Sequence, residues 1–163
     1  MKIEAFEHNL RQKTVPFAYS VITSTGSHVP MVLTYDKEGI ERASKLDSLF
    51  SYDNKEIMFK VLAKYLDDVE ACAYVLICEA YMKKVSREDY ENKSEEELND
   101  VIENTKTNEV LTITWEYRNE TNKSGIISTP IFKNSGIVEI DYENTVDRYD
   151  EDGEVEGRAT SLL

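Results

Sequence analysis

Residues 72 to 82 read Cys-Ala-Tyr-Val-Leu-Ile-Cys-Glu-Ala-Tyr-Met, apolar on both alternations until Glu79. Successive side chains of a strand point to opposite faces, so a strand apolar on both needs cover on at least part of both. This run therefore marks the centre of a sheet, and the rest of the chain must supply strands beside it and apolar surfaces above it. Residues 110 to 118 supply the neighbour. Leu111, Ile113, Trp115 and Tyr117 alternate with polar residues, the pattern of a half-buried antiparallel strand. Residues 126 to 133 and 137 to 142 read as two more strands around the tight turn Asn134-Ser135-Gly136, and Val146-Asp147-Arg148-Tyr149 continues the last of them. A meander is the economical connection.

Helices are needed to cover the sheet. The strongest signature is Asp53-Asn54-Lys55-Glu56, which has capping-box spacing. It is followed by Ile57, Met58, Val61, Leu62, Tyr65, Leu66 and Val69, one apolar stripe. Asp36 caps a second expected helix running to Phe50, with Ile40, Ala43, Leu46, Leu49 and Phe50 at helical spacing. Residues 17 to 34 are rich in β-branched and aromatic types around Ser24-Thr25-Gly26-Ser27 and read as a hairpin, with Pro16 and Pro30 restricting it to edge positions. Ser94-Glu95-Glu96-Glu97 is a capping box ahead of Leu98, Val101 and Ile102, a short helix. The expected fold class is α+β, with two or three helices on one face of a mostly antiparallel sheet of four to six strands. At 163 residues the chain is one domain, 1 to 163, with an acidic excursion at 86 to 109 and a terminal hairpin or tail at 147 to 163.

Charge is distributed unevenly. Nineteen Lys and Arg against 32 Asp and Glu leave a formal charge of −13. Residues 86 to 109 hold nine acids and three bases, and residues 139 to 158 hold nine acids and two bases, so these two segments carry the whole excess. A nucleic-acid binder gathers positive charge to displace counterions, so direct nucleic-acid binding is not expected. Clustered negative charge steers association with a basic partner instead. Candidate residues for that surface are Glu95, Glu96, Glu97, Asp100, Glu139, Asp141 and Glu143, the last three expected on one strand face.

Several chemistries are excluded. The six glycines, at 26, 39, 125, 136, 153 and 157, fit neither a dinucleotide fingerprint, a P-loop nor a nucleophile elbow. His8 and His28 are the only histidines, and no C-x-x-C or H-E-x-x-H occurs, so no metal or cofactor is expected. Aligned on Gly153, a calcium loop would place Arg148 and Ala159 at its first and last ligand positions, which fails. Cys72 and Cys78 lie six residues apart on one strand, about 20 Å, too far for a disulfide. Acids interrupt the N-terminal segment where a signal peptide needs an apolar run, and the longest apolar run, 71 to 78, is far short of the roughly 18 residues of a membrane span. A cytoplasmic protein without membrane association is expected.

Glu79 is the one carboxylate inside the apolar run. Ionised there, it must be paired, hydrogen-bonded or sited where the sheet opens. Lys83, Lys84 and Arg118 are the candidate partners. At a cleft it would be a general base, with His28 or Asp141 beside it. Trp115 and Tyr117, with Tyr74 and Tyr81, are read as core rather than as a base-stacking platform, because no basic groove accompanies them.

Ile77-Cys78-Glu79-Ala80-Tyr81-Met82, a polar excursion, Asn108-Glu109-Val110-Leu111-Thr112-Ile113 and the strand at Pro130-Ile131 together resemble a pattern in small uncharacterised bacterial and phage proteins. There an apolar strand ends in Ser-Glu-Ala-Trp-Met and a Glu-Ala-Leu strand follows. The resemblance covers residues 72 to 133, with Cys78 and Tyr81 departing from the pattern. It implies the strand order, marks Glu79, and implies no reaction.

The leading functional reading is a non-catalytic binding or accessory protein with an acidic contact surface. Its alternatives are a phosphate-mimicking inhibitor of a nucleic-acid-binding protein, a small enzyme with a carboxylate site around Glu79, and a homodimer whose Trp115 face is completed by self-association.

Overall fold

The computed structural model describes residues 1 to 46 and 55 to 150. The Asp53-Asn54 cap, Leu49, Phe50 and the expected tail beyond Asp150 lie outside the described residues. The fold is α+β around one antiparallel sheet. Its strands are β1 (Met31–Tyr35), β2 (Glu41–Lys45), β3 (Ala73–Lys83), β4 (Thr107–Arg118), β5 (Asn122–Asn134), β6 (Ile137–Ile140) and β7 (Val146–Asp150). They run in the order β2-β1-β3-β4-β5-β6, and β7 also pairs with β5. β3 and β4 form a long ribbon, from Ala73 opposite Tyr117 to Lys83 opposite Thr107. β6 and β7 take successive halves of one edge of β5, as one strand broken by a 3-10 turn at Tyr142–Asn144.

Helices cover both faces of the sheet, not one. On the first face lies a continuous N-terminal helix: α1 (Ile3–Asn9), a π-helical turn (Leu10–Thr14) and α2 (Val15–Thr25). Its Phe6, Leu10, Ala18 and Ile22 pack on Leu33, Val75, Ile113, Trp115 and Tyr117. The expected hairpin over residues 17 to 34 is therefore wrong in its first half. Ile3, Phe6, Leu10, Thr14, Ala18 and Ile22 are all buried, at steps of three or four residues. Burying Phe6, Leu10 or Ile22 contributes about 1.5–3 kcal/mol each, more than the helix penalties of Val21 and Thr23, which stay below about 1 kcal/mol. Pro16 is tolerated because the turn holding Gln12, the carbonyl its ring would strike, is widened to π geometry. Thr23 and Thr25 donate their hydroxyls to Tyr19 O and Val21 O, both at 2.8 Å. The Ser24-Thr25-Gly26 cluster is the helix end, with Gly26 at φ 81°.

The chain's own helix covers Trp115, so that face does not need the expected self-association to complete it. Trp115 is 1 % exposed, so its face is complete within one chain.

On the second face α3 (Lys55–Asp68) sets Leu62 and Leu66 on Val32, Leu46, Tyr74 and Leu76. This accounts for the doubly apolar run at residues 72 to 77: Val75 and Ile77 meet the N-terminal helix, and Tyr74 and Leu76 meet α3. The helical stripe is narrower than expected, with Met58, Leu62 and Leu66 buried and Ile57 and Val61 exposed.

Residues 36 to 45 form a hairpin, not the expected helix. Asp36 Oδ1 accepts from Ile40 N at 2.9 Å, Gly39 N donates to Asp36 O at 2.9 Å, and Gly39 stands at φ 83°. A glycine at positive φ stops the helix and returns the chain as β2. Ile40's N–H, then the Arg42 guanidinium, hold the Asp36 carboxyl below its ordinary range. A carboxyl depressed in the folded state stabilises the fold above its unfolded pKa, near 4, and that contribution is lost as pH falls. Asp36→Asn is expected to be less stable than wild type at pH 7, with the two denaturation curves converging between about pH 4 and 2.

Candidate functional site

Beyond Ile77 the β3–β4 ribbon runs out from under the N-terminal helix, and the acidic excursion sits at its tip. There the chain forms α4 (Arg87–Asn92) and α5 (Glu95–Asn104). Ser86 Oγ accepts from Asp89 N at 3.0 Å. The expected capping box is present: Glu97 N donates to Ser94 Oγ at 3.3 Å, and Ser94 N donates to Glu97 Oε2 at 2.9 Å. The Ser94 N–H holds the Glu97 carboxyl below its usual range. Lys83 Nζ closes the other end of α5, donating to Ile102 O at 2.7 Å and Glu103 O at 3.2 Å, where the helix dipole is negative.

Neither α4 nor α5 contains a buried residue. Glu95, Glu96, Glu97 and Asp100 are all exposed. The ion pairs within the excursion, Arg87 with Glu91 at 2.5 Å and Lys93 with Asp89 at 3.5 Å, belong to α4 and its end. Among the described residues Glu95, Glu96 and Asp100 have no ion-pair partner.

The second acidic segment does not form the expected strand face. Glu139 stands on β6 opposite Phe132, but the strand ends at Ile140. Asp141 instead caps the 3-10 turn, its Oδ1 accepting from Asn144 N at 3.2 Å and its Oδ2 from Asn144 Nδ2 at 2.7 Å. Glu143 lies within that turn and is exposed. Asp147 is taken by Arg11 of the helix.

The sheet register brings the two segments together. The ribbon tip and the 3-10 turn flank a surface pocket of about 160 Å³, with Val110 and Pro130 in its floor and Phe132 in its wall. Lys84 and Asn108 line it from the roots of the excursion, Asp141 and Asn144 from the turn.

Glu79 lies on the opposite face of the ribbon from this pocket. Its Oε1 accepts from His28 N at 2.5 Å, and its Oε2 pairs with Lys133 Nζ. Lys133 also reaches Glu109 at 3.2 Å. Partial burial pulls the Lys133 ammonium down, while hydrogen bonds and charges from Glu79 and Glu109 more than offset it, so its pKa is raised. The partner is thus Lys133 of β5, not the expected Lys83, Lys84 or Arg118. Lys83 closes α5, Lys84 lines the pocket, and Arg118 pairs with Glu116 at 2.6 Å. His28 reaches Glu79 through its backbone, while its ring Nδ1 lies 2.8 Å from Val29 O. Both Glu79 oxygens are thus engaged, one by a backbone N–H and the other by an ammonium.

Glu116 is the residue that sequence reading missed. It is 3 % exposed, on the polar alternation of β4 that reads as solvent-facing, and Thr112 and Thr114 of that alternation are buried too. Tyr74 stands opposite it in register. Burial, then the Glu116 charge and hydrogen bond, push the Tyr74 phenol upward. The legible signal was Arg118, two residues on and on the same face. Among the described residues no cluster of three His, Cys, Asp or Glu side chains could hold a metal ion. None of their helices is long and apolar enough to cross a membrane.

Comparison of the chain with protein-family models, with curated proteins and with solved structures finds no match.

Proposed function

We propose that this is a non-catalytic binding protein whose contact surface is the acidic excursion α4–α5 together with Glu139 and Glu143. One observation carries the reading: two helices, residues 87 to 104, add no buried residue to the fold. Exposed carboxylates at Glu95, Glu96 and Asp100 raise the local negative potential and speed encounter with a basic partner. The partner is a basic protein, and the phosphate-mimicking version applies where that protein's own ligand is a nucleic acid. Two cysteines not bridged to each other suit a reducing compartment, which supports the cytoplasm. The enzyme alternative loses its footing with both Glu79 oxygens engaged.

The test is capture from native lysate at low ionic strength, eluted by salt. The captured partner should elute between about 50 and 300 mM salt, as expected for screened surface charge. Replacing Glu95, Glu96 and Glu97 by Gln and Asp100 by Asn should weaken capture about tenfold or more. Neutralising Glu4, Glu38, Asp67 and Glu120, four exposed acids elsewhere, should leave it unchanged. Salt-independent capture, or equal loss in both variants, would overturn the reading. Competition by duplex DNA separates phosphate mimicry from other acidic contacts.

A further inference from the structure

Resting on the acidic surface as the contact, we infer that the pocket between the ribbon tip and the 3-10 turn receives an arginine side chain of the basic partner. Its floor is apolar, with Val110 buried to 2 %, and suits the methylene stem of a long cationic side chain. Phe132, in the lining, is 52 % exposed, and an aromatic ring there suits a planar cation. Asp141 is held in place by its two bonds from Asn144, and an ionised carboxylate keeps further acceptor capacity. Because Asn144 Nδ2 already donates to Asp141, the Asn144 side chain has its oxygen left to accept. Aromatic face, fixed carboxylate and amide oxygen are what a guanidinium uses, and a compact ammonium uses them less well. Among the described residues Lys84 and Asp141 are the charged members of the lining, and the exposed Glu139, opposite Phe132 in register, and Glu143, within the adjoining turn, add negative charge beside it, so charge complementarity favours a cationic occupant.

A competing occupant is a second copy of this chain, whose Arg87 and Arg148 are exposed. The probes are two fluorescent peptides, acetyl-Lys-Lys-Gly-Arg-Gly-Lys-Lys-amide and its charge-matched twin with lysine in place of the arginine. At 50 mM salt, on the order of conditions where exposed charges act, the arginine peptide should bind about fivefold tighter than its twin. Phe132→Ala and Asp141→Asn should each bring that ratio to about one. The exposure of Phe132 lets the first fold, which an unchanged near-ultraviolet circular dichroism spectrum confirms. Neutralising Glu95, Glu96, Glu97 and Asp100 should weaken both peptides and preserve the ratio. Two peptides binding equally to wild type would overturn the arginine pocket while leaving the acidic surface standing, whereas no binding of either would overturn both. A ratio unchanged by Phe132→Ala, or a dimer that this substitution splits, would likewise overturn the arginine pocket.

Discussion

Phe6→Ala is expected to cost about 3–5 kcal/mol, the range for truncating a fully buried aromatic that leaves a cavity. Phe6 is completely buried and is the hub of the aromatic cluster, with ring centroids 5.5 Å from Tyr35 and 5.7 Å from both Trp115 and Tyr117. Those partners come from β1 and β4, so the cavity would open between the helix and the sheet and could not be closed by moving one side chain. At about 2–4 °C per kcal/mol for a chain of this size, the melting temperature should fall by about 6–20 °C. Chemical denaturation followed by Trp115 fluorescence measures it. A loss below about 1 kcal/mol would show that the N-terminal helix is not what covers the sheet.

Gly125→Ala is the second large effect, about 3 kcal/mol, from overpacking rather than from a cavity. Gly125 lies opposite Trp115 in the β4–β5 register. A Cβ there would come within 2.7 Å of three atoms of the indole ring, which real contacts do not show. The indole cannot retreat, because Phe6 packs against it. The strand has a glycine here to let a large ring lie across its backbone. Adding Trp115→Phe to Gly125→Ala should recover part of the loss, so the double variant is more stable than the sum of the single effects. Strict additivity would show that the clash is relieved elsewhere.

How much of this was legible depended on whether the deciding contact was local. α5 and its capping box, β3, the existence of β4 though not the exposure of its polar face, the turn at residues 134 to 136 and the continuation into β7 are legible from spacing and turn chemistry, signals carried within a few residues. The N-terminal helix was misread because Val21, Ile22 and Thr23 favour strands locally, and Pro16 hides a repeat that is apolar from Ile3 to Ile22. β2 was misread because helical spacing over five residues is weaker than a glycine at positive φ closing an Asp36 turn.

The candidate site shows the same division. That the acidity is regional, and that Ser94 starts a helix within it, follow from the residues alone. Which lysine meets Glu79 does not, because Lys133 is 54 residues away and arrives only through the β3–β4–β5 register. Glu116 reads as a solvent-facing alternate residue, since Arg118 two positions on signals an ion pair but not that the face is covered by α3.

By itself, then, the sequence determined that this chain builds an antiparallel sheet around residues 72 to 82 and confines its negative charge to two segments, because alternation and composition are properties of neighbouring residues. Only the tertiary structure decided that helices cover both faces, that Glu79 is an ion-pair member, and that Asn108 of one acidic segment and Asp141 of the other line one pocket. Those are outcomes of strand register and burial, in which residues dozens of positions apart compete for the same partners and the same apolar surface.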